Sequence, residues 1–371
     1  MAKKITVCLL FGGRSGEHEV SLQSAKSVYE ALNKERYNVV LVGIDKAGKW
    51  LLGNASNYLL NASDPSHIKL NSASASIVTP ASSENSIMLM PETGDAKPTT
   101  IDVFFPLIHG TTGEDGALQG FLELLDAPYV GAGVLGSAIG MDKDVMKRLL
   151  QASGIPVASF RVLHSKTFTI DAAEHASREF GYPVFVKPAN MGSSVGVSKA
   201  YNKEELAKAV TEAFEYDSKI IIEKYVEGRE IECSVLGNAY PEASVPGEII
   251  PTHEFYSYDA KYIDENGAAL IIPAKISAEQ TKAVQSLAIK AFQVLECSGM
   301  ARVDCFMKKN GEFIINEINT IPGFTKISMY PKLWEASGTS FESLIDKLIQ
   351  LSLEKNAEKK KLKRSYTLPG K

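Results

Sequence analysis

The chain has 371 residues, enough for two or three domains, and 44% of them are hydrophobic, which is ample material for buried cores. Lys and Arg number 40 against 44 Asp and Glu, and the resulting net charge of −4 excludes a general attraction for nucleic acid or anionic membranes. The four cysteines have no Cys-x-x-Cys spacing. No apolar run approaches the roughly 18 residues of a membrane span. We therefore expect a cytoplasmic enzyme that acts on small molecules, with no nucleic-acid or membrane partner.

The first elements predict an α/β domain. Residues 4–11 and 37–44 are rich in β-branched side chains and predict strands, although two lysines before the first run also resemble the start of a signal peptide. Between them, the stretch from Glu19 to Leu32 has apolar residues at helical spacing, so the three elements form a βαβ unit. Residues 53–86, rich in Ser, Asn and Ala, predict an insertion at the edge of this domain without a catalytic role.

The rest of the chain predicts two further domains. Helices are expected at residues 142–153, 171–180, 203–214 and 278–295, and strands at residues 101–108, 157–163, 184–187, 220–223 and 230–236. We place the domains at residues 1–130, 131–222 and 223–356, followed by a basic tail at residues 357–371. The long loop at residues 252–270 is a candidate lid over the site.

A predicted hairpin near the C-terminus is the most informative segment. Asn310 and Gly311 stand between two alternating apolar runs, which is a strong signal for a two-residue hairpin turn. Because such a turn fixes the register, four cross-strand pairs follow: Lys309 with Glu312, Met307 with Ile314, Asp304 with Glu317, and Arg302 with Asn319. Side chains two residues apart share a face of a strand, so the last two pairs should form one polar square.

Two carboxylates face each other in this square. At about 5 Å, Asp304 and Glu317 would repel by about 3 kcal/mol at an effective dielectric near 20, so a positive charge has to lie between them. Arg302 could neutralise one of them, which would make the square a plain ion-pair patch. Two carboxylates with the Asn319 carbonyl, and no His or Cys, instead favour Mg²⁺, whose remaining ligands are water and phosphate. We therefore predict a magnesium–nucleotide site on this hairpin.

Groups suited to phosphate lie upstream of the hairpin. Lys187 ends a predicted strand, and the Gly192–Gly196 loop after it can bring backbone N–H groups close to an anion, although alone such a loop is more often a turn. It is not a Walker A loop, because no Gly-Lys-Ser/Thr follows. Lys143 and Lys224 also stand at the edges of predicted elements, and phosphates in a water-poor cleft need such cations.

Residues 223–230 are candidates for binding the nucleotide base and ribose. Glu223 to Val226 could bind a purine through backbone groups and Glu230 could accept from a ribose, but a buried strand end before a turn explains these residues equally well. A dehydrogenase is a rival function, because a strand, a Gly-rich turn and a helix also open a dinucleotide fold. Gly12-Gly13-x-x-Gly16 does not keep the G-x-G-x-x-G spacing, however, and two glutamates follow where a pyrophosphate would approach.

Several segments together carry a resemblance to a known family. They are Gly12–Leu22, His109-Gly110 with Gly113–Gly116, Met141–Lys143, Val186–Pro188 with Gly192–Gly196, Tyr258–Tyr262, and Glu317–Thr320 with Pro322-Gly323. They resemble the ATP-grasp superfamily and, within it, the D-alanine–D-alanine ligases, along nearly the whole chain apart from the insertion and the tail. The resemblance implies a mixed α/β, three-domain ATP-grasp fold with a Rossmann-like N-terminal domain.

The resemblance also implies roles for residues around the two substrates. Glu19 would hold the ammonium of the first D-alanine with Ser193 and Tyr262, near His109. Ser328 and Met329 would hold the carboxylate of the second substrate, while Arg302 and the Gly323 N–H would stabilise the oxyanion. Taken singly, Glu19 is also explained as a carboxylate in the first turn of a helix, Tyr262 as a packing residue and Ser328 as a helix N-cap.

Positions for the nucleotide and the metals follow from the same resemblance. Lys261 would reach the transferred phosphate. The other positions implied for ATP are Lys143, Lys187, Ser194, Glu223, Lys224, Val226, Glu230 and Phe255. Asp304, Glu317 and Asn319 match the ligands of two Mg²⁺.

The implied activity is ATP-dependent formation of D-alanyl-D-alanine through a D-alanyl phosphate, for peptidoglycan synthesis. The implied cofactors are ATP and two Mg²⁺ or Mn²⁺, with K⁺ as a further candidate, and the implied assembly is a homodimer. Tyr262 resembles the dipeptide-forming ligases rather than their relatives that make D-alanyl-D-lactate, which stay as an alternative. A nucleotide-binding regulator without catalytic activity is the alternative from a different class.

Overall fold

The structure, a computed structural model, describes the chain except residues 1–2, 55, 63, 66, 73–75, 84–85, 93–97, 252–267, 326 and 364–371. It is a mixed α/β fold built on three main sheets, which confirms the predicted fold class. Most of the candidate lid, with Phe255, Lys261 and Tyr262, lies outside the described residues, and so does about half of the tail. The roles of those residues and the domain boundaries therefore stay predictions.

The predicted helices that the structure describes match to within two residues at each end, and the described residues also contain further helices. They run His18–Ala31, Ala117–Leu124, Val134–Met141, Lys143–Ala152, Ile170–Phe180, Lys203–Tyr216, Ala278–Val294, Met329–Ala336 and Phe341–Lys360. Ser277 and Gln280 form a reciprocal capping box where the helix Ala278–Val294 begins. Within the described residues, none of these helices has the length and apolar composition that a membrane span requires.

A seven-stranded sheet occupies the N-terminal part of the chain. In spatial order its strands are Thr99–Ile101, Ser86–Pro91, Ser76–Ser83, Trp50–Gly53, Tyr37–Ile44, Ile5–Gly12 and Val103–Pro106. The Ile5–Gly12 strand is parallel to both of its neighbours, and the helix His18–Ala31 leads to one of them, which confirms the predicted βαβ unit. The predicted insertion supplies antiparallel strands that extend one edge of this sheet. Its short strands Leu59–Leu60 and Lys69–Leu70 pair with each other.

Two antiparallel sheets follow, and the site lies between them. The second sheet contains Phe160–His164, Lys219–Lys224, Val184–Pro188 and Ser198–Ala200. The third sheet contains Ala268–Ile271, Gly247–Pro251, Arg229–Gly237, Gly299–Met307 and Phe313–Asn319, with Glu242–Ala243 beside it. The helix Ala278–Val294 packs on the third sheet through a core that includes Ala301 and Val303. Side chains alternate along a strand, so Arg302 and Asp304 point away from that core.

The hairpin that joins the last two strands differs from the predicted one in two compensating ways. Its loop has three residues instead of two, because the Lys308 N–H donates to the Glu312 carbonyl and Met307 pairs with Phe313. The predicted pairs Lys309 with Glu312 and Met307 with Ile314 are therefore wrong. Gly311 takes the left-handed conformation that such a loop needs, with φ of 84°.

A β-bulge restores the predicted register further along the hairpin. The register shifts by one residue between Asp304 and Cys305, which leaves Asn316 as the extra residue of the opposite strand. Beyond the bulge, Asp304 pairs with Glu317 and Arg302 pairs with Asn319. The polar square is therefore confirmed, although the turn from which it was derived is not.

Candidate active site

Two connected cavities lie where the three sheets meet. The first, which we call the intersheet cleft, lies between the second and third sheets and is lined by residues that include Lys187, Glu223, Lys224, Glu230, Asp304 and Phe306. The second, which we call the junction pocket, brings Glu17 and Glu114 together with Arg302, Asn319, Gly323 and Ser328. Lys143, Gly192, Ser193, Glu232 and Glu317 line both cavities. A group bound in one cavity is therefore adjacent to a group bound in the other.

Arg302 neutralises part of the acidic charge on the hairpin. Its Nε and Nη2 donate to the two oxygens of Asp304, each at 2.7 Å. The same Nε lies 2.9 Å from Glu232 Oε2. The ion-pair alternative is thus realised for Asp304, but one guanidinium is shared between two carboxylates and the charge of Glu317 is additional.

The remaining oxygen atoms fit a hard cation. Asn319 Oδ1 is buried and accepts no hydrogen bond from the described part of the chain. Glu317 is partly buried, with its Oε2 3.9 Å from Lys143 Nζ. No cluster of three or more His, Cys, Asp or Glu side chains suited to a metal occurs among the described residues, so the available set is Asp304, Glu317 and the Asn319 amide oxygen. Mg²⁺ uses such sparse oxygen sets when phosphate and water complete its shell.

A buried cluster of charges lies beneath the intersheet cleft. Lys147 and Lys187 both form ion pairs with Glu223, and Lys147 is fully buried. The bulge residue Asn316 accepts from Lys147 through its carbonyl at 3.1 Å and from Lys187 through Oδ1 at 3.3 Å. Burial alone would raise the pKa of Glu223, but the two ammonium groups outweigh it and lower that pKa to about 2. Two positive charges and one negative charge leave the cluster net positive, which suits a phosphate.

Lys147→Met should lower the free energy of unfolding by about 3–5 kcal/mol, because it leaves Glu223 buried without one of its partners. The pKa of Glu223 lies near 2, below its ordinary 4.5, so the stabilisation from its charge is complete above pH 4.5 and is lost as pH falls toward 2. The deficit of the variant should therefore shrink in acid. Urea unfolding followed by circular dichroism measures it, with the exposed Lys208→Met as control. Equal stability of the two variants at neutral pH would contradict the structural role of Lys147.

The Gly192–Gly196 loop closes over the region where the two cavities meet. Ser193 and Ser194 adopt left-handed backbone conformations, with φ of 50° and 61°. Such conformations cost on the order of 1–3 kcal/mol for a residue with a side chain and persist where surrounding structure enforces them. Lys143 Nζ donates to the Met191 carbonyl at 2.6 Å and so helps to hold this loop. The arrangement supports a binding loop more than an ordinary surface turn.

Glu19, which the resemblance assigned to the substrate ammonium, lies outside the junction pocket. Its Oε1 is 2.8 Å from Lys46 Nζ, in a partly exposed ion pair. Glu17 lines the pocket instead, is 7% exposed and accepts a hydrogen bond from Ser193 Oγ. We therefore correct the assignment: the carboxylate partner of Ser193 is Glu17, which directly precedes the helix that begins at His18.

His109 is buried beneath the junction pocket, and Glu114 lines the pocket above it. The ring Nδ1 lies 2.8 Å from the Ile321 carbonyl oxygen, and Nε2 lies 3.0 Å from Ser24 Oγ. Glu114 Oε1 is 3.7 Å from His109 Nδ1. His109 is therefore not part of the lining of the junction pocket, and Glu114 is the group that a ligand would meet.

The opposite end of the junction pocket combines a glycine, a hydroxyl and a helix start. A β-carbon added at Gly323 would lie 2.8 Å from Ser328 Oγ, so a side chain there would displace Ser328. Ser328 stands at the N-cap position of the helix Met329–Ala336, but its side chain makes no capping hydrogen bond. Its Oγ accepts from the Thr325 N–H at 3.0 Å. The N-cap alternative therefore does not explain this side chain, which lines the pocket with Met329.

Part of the lining of the intersheet cleft is apolar or aromatic and suits a flat base. Its wall contains Phe185, Tyr225, Val226, Ile231 and Phe306. The predicted Ser194, Lys224 and Glu230 line the same cleft. Lys199, which was not predicted, also lines it and lies 4.6 Å from the centre of the Tyr225 ring.

Comparison with known proteins shows the family to which the chain belongs. The family model described as D-ala D-ala ligase N-terminus matches residues 6–132, and the D-ala D-ala ligase C-terminus matches residues 149–350. The D-alanine--D-alanine ligase of Shouchella clausii is 52% identical over 366 residues, which cover 98% of this chain and 99% of that protein. D-alanine--D-alanine ligase A of Escherichia coli K12 is 52% identical over 362 residues, which cover 97% of this chain and 99% of that protein.

Solved structures give the same result at the level of the fold. The D-alanine-D-alanine ligase of Coxiella burnetii has a TM-score of 0.86 at 40% identity and covers 97% of both chains. The VanG D-Ala:D-Ser ligase of Enterococcus faecalis has a TM-score of 0.81 at 36% identity and covers 94% of this chain and 100% of that one. The chain belongs to the D-alanine–D-alanine ligase family.

Proposed function

We propose that this protein is an ATP-dependent ligase that joins two D-alanine molecules through a D-alanyl phosphate, for peptidoglycan synthesis. The observation that carries the proposal is the shared wall of the two cavities, which includes Lys143, Gly192, Ser193, Glu232 and Glu317. An amino acid in the junction pocket would have its carboxylate next to the phosphates of a nucleotide in the intersheet cleft. Relatives at 52% identity carry the corresponding name.

The first step has to activate a carboxylate, which is a poor electrophile. A carboxylate oxygen of the first D-alanine attacks the γ-phosphorus of ATP, the bond to ADP breaks, and an acyl phosphate forms. Both reactants are anions, so cations have to lie where they meet. Lys143 and the net positive cluster of Lys147, Lys187 and Glu223 supply them from the protein.

Asp304, Glu317 and Asn319 are the proposed metal ligands, and Mg²⁺ bound there would neutralise charge on the triphosphate. The orphan oxygen of Asn319 and the two facing carboxylates support this role. Two divalent ions, Mn²⁺ as a substitute and K⁺ as an additional cation are proposed from the family resemblance alone.

The second step forms the peptide bond. The amine of the second D-alanine attacks the acyl carbon, an oxyanion develops, and phosphate leaves with the former carboxylate oxygen. Arg302 and the Gly323 N–H are the proposed oxyanion donors, and such a donor contributes on the order of 10²-fold or more. The Ser328 hydroxyl and the start of the helix Met329–Ala336 suit the carboxylate of the second substrate, because a helix N-terminus favours an anion.

Gly323→Ala should lower kcat/KM for the second D-alanine by about 10²-fold, because its β-carbon would push against Ser328 Oγ and misplace the acceptor site. Gly120→Ala is the matched control, since an added β-carbon meets nothing within 4 Å there. Initial rates of dipeptide formation at varied D-alanine measure the effect. Similar rates for the two variants would exclude Gly323 from the acceptor site.

A phosphate-release assay tests the proposed function. The purified protein with ATP, Mg²⁺ and D-alanine should release phosphate and yield D-alanyl-D-alanine in equal amounts. Absence of D-alanine-dependent release at every Mg²⁺ and K⁺ concentration would rule the ligase out and leave the nucleotide-binding regulator. One solved relative is a D-Ala:D-Ser ligase, so D-serine and D-lactate should be offered in competition across neutral and alkaline pH. A depsipeptide as the main product would favour the D-lactate alternative.

The proposal also covers the assembly and the location of the protein. A homodimer is proposed from the family resemblance alone. A cytoplasmic location is supported by the four cysteines, all of which are buried and unbridged, because free thiols are usual in a reducing compartment. The domain boundaries near residues 130 and 222 are also part of the proposal.

A further inference from the structure

We propose that Glu114 is a second carboxylate of the site for the first substrate's ammonium, and that it loses its proton to solvent as that substrate binds. This role rests on the proposed function, because it concerns the same pocket. Glu114 would be a residue that touches substrate, with His109 as the positioning residue behind it. The chemical class it recognises is a primary ammonium on a small zwitterion.

The backbone holds Glu114 and Glu17 together on one wall of the junction pocket. Both are 7% exposed and both line the pocket. A β-carbon added at Gly110 would lie 2.5 Å from Glu17 Oε2, and one added at Gly192 would lie 2.8 Å from the same atom. Gly110 also has a left-handed φ of 74°, and its carbonyl accepts from the Glu114 N–H at 2.9 Å. A turn that only glycine permits therefore brings the two carboxylates close to each other.

The charges beside Glu114 leave room for one cation. On its own loop, Glu114 faces His109, whose Nδ1 is 3.7 Å away. On the segment before the first helix it faces Glu17, which is hydrogen-bonded to Ser193 Oγ. Once Glu114 has lost its proton, the two carboxylates and a protonated His109 would carry one net negative charge between them. A single ammonium group would neutralise it.

The charged groups across the pocket already have partners. They are Lys143, which lies near Glu317 and donates to the Met191 carbonyl, and Arg302, which is shared by Asp304 and Glu232. None of these cations is paired with Glu17 or Glu114 in the contacts that the described residues make. Among the described residues, Glu17 and Glu114 therefore form no ion pair with the cations around the hairpin.

The proton on Glu114 connects this geometry to substrate binding. Burial and the charge of Glu17 raise the pKa of Glu114 to about 7, although His109 opposes the shift. Burial alone would lower the pKa of His109, but Glu114 and Glu17 outweigh it and raise that pKa. An incoming ammonium favours the charged carboxylate, so it drives the proton off Glu114. Binding below a pH of about 7 should therefore release up to one proton, and binding above it should release almost none.

Titration calorimetry with D-alanine tests this role. The full-length protein, saturated with Mg²⁺ and ADP, is titrated in two buffers of different ionisation enthalpy, at about one pH unit below and above the pKa of Glu114. Two D-alanine molecules bind, and the tighter of the two binding phases is the one to analyse. In that phase, the wild type should release close to one proton at the lower pH and almost none at the higher pH. Glu114→Gln should release none at either pH and should bind D-alanine about tenfold more weakly, because a charge-assisted hydrogen bond is lost.

Controls separate the possible failures. Glu204→Gln, on the exposed face of the helix Lys203–Tyr216, should behave as the wild type. The ADP affinity of Glu114→Gln reports whether that variant folds. If it does not fold, the wild-type proton count decides alone, and no release at the lower pH would overturn the role of Glu114. Equal proton release by wild type and a folded Glu114→Gln would overturn it too. Failure of the wild type to form dipeptide at any pH would instead overturn the proposed function.

Discussion

Glu317→Gln should lower turnover by about 10³-fold and leave the fold intact. The amide keeps the shape of the side chain but removes one of the two carboxylates that face each other across the hairpin. Charge neutralisation by a bound metal contributes several kcal/mol, at about 1.4 kcal/mol for each tenfold change in rate. The fold should survive because Glu317 is partly exposed and its ion pair with Lys143 is long, at 3.9 Å. Loss of this pair should therefore cost little stability. Phosphate release at saturating ATP and D-alanine, together with thermal unfolding, measures both outcomes.

Glu312→Gln is the matched control on the same hairpin. Glu312 is exposed and pairs with Lys308 at 2.9 Å, and such surface pairs contribute about 0–1 kcal/mol. Its activity should therefore stay close to that of the wild type. Added Mg²⁺ should rescue part of the activity of Glu317→Gln and should not affect Glu312→Gln. Near-normal turnover of Glu317→Gln, or its unfolding, would count against the metal assignment.

Glu17→Gln should lower kcat/KM for the first D-alanine by roughly 10- to 150-fold, which corresponds to the 1.5–3 kcal/mol of a hydrogen bond to a charged group. The effect should fall on KM more than on kcat, because the ammonium is held in the same way throughout the reaction. Glu19→Gln should change kcat/KM little, since Glu19 is paired with Lys46 outside the pocket. Steady-state kinetics of the two variants, measured together, provide the comparison.

The reverse result would restore the assignment implied by the family resemblance. A large loss in Glu19→Gln with near-normal Glu17→Gln would mean that the helix His18–Ala31 turns when substrate binds. Equal losses in both variants would point to a general effect of charge near the pocket. A direct ammonium contact by Glu17 requires a loss in Glu17→Gln together with little change in Glu19→Gln.

The helices were the most predictable part of the fold, since their apolar residues recur at a single spacing. The helix from Glu19 to Leu32 was predicted one residue later than His18–Ala31, where the structure has it. The same spacing could have excluded Glu19 from the site. Glu19 shares a helix face with Gln23 and Lys26, which are all partly exposed, whereas Glu17 precedes the helix. The motif resemblance thus implied Glu19, although the helical periodicity places that side chain on the outer face of the helix.

In the hairpin, the register at the site was predicted correctly although the predicted turn was wrong. Asn310-Gly311 is typical of a two-residue loop, and nothing in the local pattern distinguishes it from the three-residue loop that forms. The bulge at Asn316 is not visible in the pattern either, because it depends on contacts with Lys147 and Lys187 from another sheet and helix. Two local errors of one residue cancelled, so the pairing of Asp304 with Glu317 was predicted correctly.

Buried charges were the least predictable part of the site. Lys147 lies four residues after Lys143 on the same helix face, and that spacing could have identified it. Its partner Glu223 comes from a strand of the second sheet, and only the folded chain brings them together. The same holds for Glu114, whose place beside Glu17 depends on two glycine positions that are far apart in the chain. Long-range pairs of this kind leave no periodic signal.

Transfer of ¹⁸O from D-alanine to phosphate tests most directly whether the two cavities activate a carboxylate by phosphoryl transfer. The protein is incubated with ATP, Mg²⁺ and D-alanine labelled with ¹⁸O in both carboxylate oxygens. Formation of an acyl phosphate predicts one ¹⁸O atom in the inorganic phosphate for each dipeptide formed, because the former carboxylate oxygen leaves with the phosphorus. Dipeptide formation with unlabelled phosphate would contradict this account.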